Sequence, residues 1–141
     1  MSATLLYRIA AVLLVLFAVG HTVGFLGFKP ASADGLAVRD AMRTVQFEFK
    51  GASYSYGNFY LGFGLTITAY LLFSAFLAWH LGSVAATSPQ SIGALAWAFA
   101  ALQLACVGLS IAYFFLLPAL LSGLVVVCLG WAAWLLRGAG M

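Results

Sequence analysis

The absence of charge over most of the chain is the feature that constrains this sequence most. From Gly51 to Leu136 there is no lysine, arginine, aspartate or glutamate. Charged residues make up 6% of the chain, whereas water-soluble domains carry roughly a quarter. A chain with so few charges cannot cover a surface that faces water. We therefore expect an integral membrane protein, whose backbone polar groups are satisfied within helices.

Four membrane crossings account for the apolar segments. A hydrocarbon core about 30 Å thick requires about 20 apolar residues in a helix, and four such helices fit residues 9–28, 58–81, 91–116 and 118–136. Gly82-Ser83 is expected to end the second helix, and Pro118 suits the first turn of the fourth. The first apolar segment is as long as a full crossing, so we interpret it as a helix and not as a secretory signal. The predicted fold is a single all-α domain over residues 1–141, a four-helix transmembrane bundle with a long first loop at residues 29–57.

The first loop contains most of the charge. Seven of the nine charged side chains lie between Lys29 and Lys50. Ser32 or Asp34 is able to cap a short amphipathic helix there. Two periodic patterns follow, a helical spacing of Val38, Met42 and Val45 and a strand-like alternation of Val45, Phe47 and Phe49. Because the two patterns overlap, periodicity leaves the choice between helix and strand open.

The same charges set the expected orientation. The basic residues of the first loop are Lys29, Arg39, Arg43 and Lys50, against Arg8 and Arg137 on the opposite side. The positive-inside rule then favours a cytoplasmic first loop.

Small residues recur along the predicted helices, beginning with Gly20 and Gly24. Helices in lipid associate through close backbone approach at small residues and through a few interhelical hydrogen bonds. We therefore expect these glycines to pack helices together. Gln103, near mid-membrane, is expected to find a hydrogen-bond partner across the bundle.

His21 is a strongly polar, ionisable side chain well inside the first crossing, about 10 Å below the loop-side boundary. Ionisable residues inside a membrane are functional candidates by default. Two interpretations stay open. One is a structural histidine that bonds Ser110, Tyr113 or a backbone carbonyl. The other is a group that faces a ligand in a polar pocket open to the first loop.

Other polar side chains map to the same membrane face. The predicted ligand-binding residues are His21, Arg39, Arg43, Glu48, Tyr54, Tyr56, Asn58, Tyr60 and Tyr113. The expected ligand is an amphipathic, lipid-like molecule such as a quinone, an isoprenoid or a sterol-like lipid, with apolar residues such as Phe25, Phe59 and Phe63 along its tail. If the protein also acts on this molecule, the catalytic candidates are His21 or Glu48 as acid or base and Arg43 as the anion-binding group.

A non-catalytic accessory subunit is the competing interpretation. Its faces of small residues would dock copies of this chain or the chains of a larger membrane complex, and its first loop would seal a partner. The partners expected are thus membrane lipid or other membrane chains, and not nucleic acid.

The sequence indicates no metal site and leaves any cofactor unassigned. A haem held between His21 and His80 is excluded, because the two imidazoles differ in depth by roughly 15–20 Å at 1.5 Å per residue. Cys106 and Cys128 lack the spacing of a redox or zinc motif.

Three stretches of the chain carry a family resemblance. They are Gly20-His21-Thr22-Val23-Gly24-Phe25 in the first helix, Phe47-Glu48-Phe49-Lys50-Gly51 with Ser53-Tyr54-Ser55-Tyr56 in the first loop, and Phe63-Gly64-Leu65 in the second helix. Together they resemble a family of small bacterial four-helix membrane proteins of unassigned function. The resemblance covers most of the chain. It implies the four-helix fold and a bacterial cytoplasmic membrane, and it implies no activity.

Overall fold

The computed structural model describes residues 1–137, which form five α-helices and one β-hairpin. The helices are α1 (Ala3–Gly27), α2 (Ala33–Thr44), α3 (Tyr56–Thr87), α4 (Gly93–Tyr113) and α5 (Leu116–Arg137), and the strands are β1 (Gln46–Phe49) and β2 (Ala52–Ser55). A 3-10 turn at Pro89–Ser91 lies between α3 and α4. Four of these helices, α1, α3, α4 and α5, are long and apolar enough to cross a membrane. The predicted helical membrane bundle is confirmed at this level.

Each predicted crossing corresponds to one of these helices, but the ends differ. The largest difference is at α3, whose 32 residues extend over about 48 Å at 1.5 Å per residue. The expected end at Gly82-Ser83 is wrong, because both residues are helical. Gly82 serves a packing role instead: a Cβ at this position would lie 3.2 Å from Cβ of Tyr7 and 3.4 Å from the carbonyl oxygen of Thr4. This glycine lets α1 and α3 approach closely, as small residues do in lipid.

The segment between α1 and α3 is not the long loop that the sequence predicted. It folds into α2 and the hairpin β1–β2. Of the two predicted caps for α2, Ser32 is the one used, since its side chain accepts the N–H of Gly35 at 3.1 Å. Asp34 lies in the first turn, where a negative charge is favourable near the helix N-terminus. The predicted short amphipathic segment is therefore a helix that starts at a defined cap.

The helical and the strand-like pattern in this segment each correspond to an element of the structure, and the strand follows the helix. The helical pattern ends at Val45, which has an extended backbone and donates its N–H to Ala41. The alternation then continues as β1, which pairs antiparallel with β2 from Gln46↔Ser55 to Phe49↔Ala52. Lys50 and Gly51 make the turn with φ angles of 50° and 80°. Two successive positive φ angles are typical of the type I′ turns that join hairpin strands.

Contacts within the chain define two compact units. The core unit is Met1–Phe17 with the described residues from Leu71 onward, and the hairpin unit is Ala18–Tyr70. Buried apolar residues of the core unit come from all four long helices: Leu6, Tyr7, Ala10 and Leu14 of α1, Leu71, Ala75 and Ala78 of α3, Ala96, Phe99 and Ala100 of α4, and Val125, Leu129, Ala132 and Ala133 of α5. Alanine is frequent among them, which allows the short interhelical distances that stabilise helices in lipid.

One buried polar contact crosses the core unit. Gln103 on α4 and Ser74 on α3 are each 2% exposed, and the amide Nε2 of Gln103 donates to Oγ of Ser74 at 3.4 Å. The prediction that Gln103 bonds to another helix is confirmed. An amide without a partner would be costly in this apolar interior.

The hairpin unit buries few side chains and relies on local hydrogen bonds. Ser55, 8% exposed, caps α3 by accepting the N–H of Asn58 at 3.1 Å. The end of α2 lies against the start of α3, because a Cβ on Gly57 would be 3.1 Å from the carbonyl oxygen of Met42. Ala18 of α1 and Gly64 of α3 are also buried.

The glycines at the end of α1 do not pack against the described part of the chain. A Cβ on Gly20, Gly24 or Gly27 would meet no atom of residues 1–137 within 4 Å, apart from the backbone of its own helix. The expected close packing at Gly20 and Gly24 is thus not present within residues 1–137. Close helix approach occurs at Gly64 and Gly82 instead, where side chains of α1 lie against α3.

Candidate functional site

His21 forms a hydrogen bond between α1 and α3 in the hairpin unit. Its Nε2 lies 3.0 Å from the carbonyl oxygen of Gly64. Because a carbonyl oxygen accepts and never donates, Nε2 carries the proton. Nδ1 is then the ring nitrogen outside this bond, and it accepts a hydrogen bond when the ring is neutral. Among the partners predicted for a structural histidine, the structure shows the backbone carbonyl.

Gly64 is suited to this contact in a second way. A Cβ at this position would overlap the ring of Phe25, so only a glycine leaves room for that ring. Phe25 in turn stacks on the imidazole of His21, with ring centroids 5.6 Å apart and planes at 8°. Gly64 thus contacts α1 in two ways. Its carbonyl accepts a hydrogen bond from His21, and its lack of a side chain makes room for Phe25.

Two threonines add a second polar contact between the same helices. Oγ1 of Thr22 donates to the carbonyl of Ala18 at 2.7 Å and lies 2.9 Å from Oγ1 of Thr68. A hydroxyl has one proton, so when Thr22 donates to Ala18, Thr68 is the donor to Thr22. Thr68 then no longer donates to the Gly64 carbonyl, from which it is 3.4 Å away. Among side chains, the carbonyl is then left to the imidazole of His21.

Aromatic rings surround this part of the hairpin unit. Phe25 meets Tyr60 at 5.2 Å. Phe47 of β1 lies 5.9 Å from Phe59, and Phe59 packs edge-on against Phe63 at 4.8 Å. We call the following residues the aromatic surface: Phe47, Tyr54, Tyr56, Phe59, Tyr60 and Phe63. Its side chains on α3 are about half exposed, from 50% at Tyr56 to 59% at Phe63.

The predicted site residues on the aromatic surface come together in two places. Tyr54 and Tyr56 both contact Phe47, at 6.0 and 5.0 Å between ring centroids. Tyr60 is connected to His21 through Phe25, which contacts both rings. The structure therefore places these tyrosines among aromatic neighbours within one unit.

The charged residues of the predicted site are dispersed. Arg39 and its neighbour Asp40 form the one ion pair found in residues 1–137, at 4.0 Å. Arg43 and Glu48 are exposed. In the described part of the chain, no hydrogen bond or ion pair joins His21 to Arg39, Arg43 or Glu48.

Two further predicted residues lie in other surroundings. Asn58 is in the first turn of α3, where its backbone N–H is capped by Ser55. Tyr113 belongs to the core unit, at the end of α4, and is 78% exposed. Its participation in the site stays a prediction.

Sequence reasoning identified His21 but not the residues that orient it. Gly64 and Thr68 lie four residues apart on α3, and both contact α1. A glycine and a threonine at helical spacing were the available signal, since small and hydroxylated residues mark interfaces between membrane helices. Their pairing with His21 and Thr22 depends on helix rotation, which the sequence does not reveal.

The arrangement offers a bound molecule one nitrogen acceptor beside flat apolar rings. His80, the second histidine, lies on α3 with its ring stacked on Phe76 at 6.1 Å. In residues 1–137 no three histidine, cysteine or acidic side chains form a group able to hold a metal ion.

No family model, curated protein or solved structure matches this chain.

Proposed function

We propose that this membrane protein binds the polar head of an amphipathic, lipid-like molecule in its hairpin unit, at His21. The observation that carries the proposal is the bond between Nε2 of His21 and the carbonyl of Gly64. This bond fixes the proton on one ring nitrogen and orients the ring, while Nδ1 is kept for another partner. A ring held in this way is pre-organised for a ligand, which reduces the entropy lost on binding.

The chemistry of Nδ1 favours a head that carries a hydroxyl group. A neutral imidazole with its proton on Nε2 accepts a hydrogen bond at Nδ1. An isoprenoid alcohol, a sterol or a quinol is able to donate that bond, whereas the carbonyl of an oxidised quinone is not. Hydroxylated lipids are therefore the preferred members of the predicted ligand class.

The aromatic surface supports the apolar part of the proposal. Tyr60 contacts Phe25, the ring that stacks on His21. The neighbouring Phe59 and Phe63 are more than half exposed. Rings with exposed faces provide large apolar contact areas for a ring system or an unsaturated chain.

A titration followed by native mass spectrometry tests this proposal. The probes are farnesol, cholesterol and a short-chain ubiquinone in its reduced and oxidised forms, each added to wild-type protein and to His21→Ala. We expect at least one hydroxylated probe to bind the wild type, and to bind His21→Ala about tenfold more weakly, the effect of losing about 1.4 kcal/mol. The oxidised quinone should bind more weakly than its reduced form.

Thr22→Val is the matched control. It removes the hydroxyl that contacts Thr68 and leaves His21 and Phe25 in place. If His21→Ala weakened binding only by loosening α1 from α3, Thr22→Val would weaken it as well. Equal binding to wild type and to His21→Ala would refute the proposal.

An accessory subunit is the second candidate, and the open glycines favour it. Gly20, Gly24 and Gly27 lie on an exposed part of α1, and no other described element comes within 4 Å of their Cβ positions. A helix of another chain is able to approach closely at such a surface. Gly24→Leu should then abolish co-purification of a partner chain or reduce the copy number in native mass spectra. A wild-type protein that is monomeric and without partners at native expression contradicts this candidate.

We further propose that the protein belongs to a bacterial cytoplasmic membrane, with α2 and the hairpin on the cytoplasmic side. The basic residues between Lys29 and Lys50 support this orientation through the positive-inside rule. The variants Lys50→Cys and Ser88→Cys, labelled in intact cells, test this orientation. A membrane-impermeant thiol reagent should label only the cysteine at position 88.

A further inference from the structure

Arg8 is a cation near the start of α1 without a carboxylate partner among residues 1–137. It lies on α1, about 7.5 Å along the helix axis from Ala3 at 1.5 Å per residue, and directly precedes the first crossing expected from the sequence, residues 9–28. The three acidic side chains of the chain are Asp34, Asp40 and Glu48, all in the hairpin unit, whereas Arg8 is in the core unit. Arg8 forms no ion pair with any described residue. A cation near the end of a membrane helix attracts the anionic headgroups of nearby lipids.

Neutral contacts from α3 hold the guanidinium in place. Its Cζ lies 3.5 Å from the centre of the Trp79 ring, and Nη2 donates to Oγ of Ser83 at 2.9 Å. Gly82 makes this approach feasible, because a Cβ there would lie 3.4 Å from Nε of Arg8. Nη1 is enclosed and finds no acceptor among residues 1–137. The guanidinium is thus positioned, but neither its charge nor its set of five donors is satisfied.

An apolar groove between α1 and α3 shares one residue with this cation contact. It has a volume of about 360 Å³ and is lined by side chains of α1 (Val12, Val15 and Leu16) and α3 (Leu72, Phe76 and Trp79). Trp79 belongs both to the groove and to the cation contact. The groove and the Arg8 group lie within the same core unit.

We infer that this surface binds one anionic phospholipid, with its phosphate at Arg8 and an acyl chain in the groove. Charge complementarity decides the occupant: a phosphate supplies the counter-charge that residues 1–137 do not provide to the guanidinium. The apolar lining matches a hydrocarbon chain. The tryptophan between the two parts is the residue type enriched at the level of lipid headgroups. This site is separate from the proposed His21 site in residues and in ligand charge.

Native mass spectrometry of the full chain in detergent tests the inference, with phosphatidylglycerol and phosphatidylcholine as titrants. The wild type should bind one phosphatidylglycerol at least about tenfold more tightly than phosphatidylcholine, as expected for a charge-assisted contact. Arg8→Gln should lose this preference. Arg137→Gln, which also removes one cation from the core unit, should keep it. Loss of the preference in both variants would mean that net charge alone attracts the lipid, and would overturn the site. Retention of the preference in both variants would overturn it as well.

Two further arms separate the lipid from a free anion and from a folding defect. Excess inorganic phosphate should leave the binding of phosphatidylglycerol unchanged. Displacement by phosphate would identify a simple anion site and refute the role of the groove. Val12→Trp keeps Arg8 and fills the groove from a position that is 53% exposed, so it should weaken phosphatidylglycerol binding about tenfold even if Arg8→Gln fails to fold. Unchanged binding in Val12→Trp would also contradict the inference.

Discussion

The core unit and the hairpin unit are stabilised in different ways. The core unit buries residues from four helices, many of them alanines, and spreads its packing over many small contacts. The hairpin unit buries few side chains, and its helices meet at single points such as Gly64, Gly57 and the pair Thr22 and Thr68. Distributed packing makes a unit rigid, while a unit held by a few contacts opens at lower free energy. The unit with the candidate His21 site is therefore the one expected to open first.

The chain provides a separate probe for each unit. All four tryptophans, Trp79, Trp97, Trp131 and Trp134, belong to the core unit, so intrinsic tryptophan fluorescence follows that unit. Hydrogen exchange of amides in α2 and the hairpin follows the other. Differences between the two signals measure how far the units unfold independently.

The largest expected effect is a cavity in the core unit. Leu129 is completely buried, so Leu129→Ala should lower the free energy of unfolding by about 2–3 kcal/mol through lost packing. Leu65 of the hairpin unit is 45% exposed. Leu65→Ala should therefore lower the free energy of unfolding by less than about 1 kcal/mol. Titration with sodium dodecyl sulfate, followed by tryptophan fluorescence and circular dichroism, gives both values. Similar losses in the two variants would show that the units are equally well packed.

The next effect concerns the contact at Gly64. In Gly64→Ala the new methyl group overlaps the ring of Phe25, and we expect a loss of about 1–3 kcal/mol, as for other overpacked sites. Hydrogen exchange of the hairpin unit should increase more than the tryptophan signal changes. Gly62→Ala is the control, because no atom of residues 1–137 outside its own helical backbone lies within 4 Å of its Cβ position. Phe25→Ala should restore part of the stability of Gly64→Ala, and absence of this rescue would contradict the overlap.

A smaller effect is expected from the threonine contact. A double-mutant cycle of Thr22→Val and Thr68→Val should give a coupling energy of about 0.6 kcal/mol, the average for hydrogen bonds between membrane helices. The same unfolding titration measures it. A coupling energy near zero would show that the 2.9 Å contact adds nothing to the hairpin unit.

The smallest effect is expected at the hairpin turn. Lys50 has a φ of 50°, a left-handed conformation that asparagine adopts more readily than lysine. Lys50→Asn should stabilise the hairpin by about 0.5 kcal/mol and slow its amide exchange, without any change in tryptophan fluorescence. Lys50→Val, which is unfavourable at positive φ, should have the opposite effect. If both variants exchange like the wild type, the turn does not limit opening of the hairpin unit.

The segment between α1 and α3 shows how far sequence patterns extend. Periodicity detected both a helical and a strand-like spacing around Val45, and both exist, but only the cap at Ser32 and the turn at Lys50-Gly51 fix where each begins and ends. Hydrophobic alternation describes which side chains share a face. Hydrophobic alternation does not determine at which residue a helix ends.

The candidate site shows a second limit. His21 was identified because an ionisable group within an apolar helix is rare, and its chemistry follows from its residue type. The choice among Ser110, Tyr113 and a backbone carbonyl as its partner depended on the rotation and register of α1 against α3. Gly82 illustrates the same limit: the sequence suggested a turn, whereas the residue is helical and its missing side chain makes room for Tyr7.

The sequence by itself determined that this chain contains four helices long and apolar enough to cross a membrane, because lipid admits few charges and requires helical hydrogen bonding. It also determined that the charges concentrate between Lys29 and Lys50. The tertiary structure decided which glycines bring helices together, since Gly64 and Gly82 are in contact while Gly20 and Gly24 are open. It also decided which nitrogen of His21 carries the proton. These outcomes depend on contacts between residues far apart in the chain, and such contacts are set by helix rotation and not by local composition.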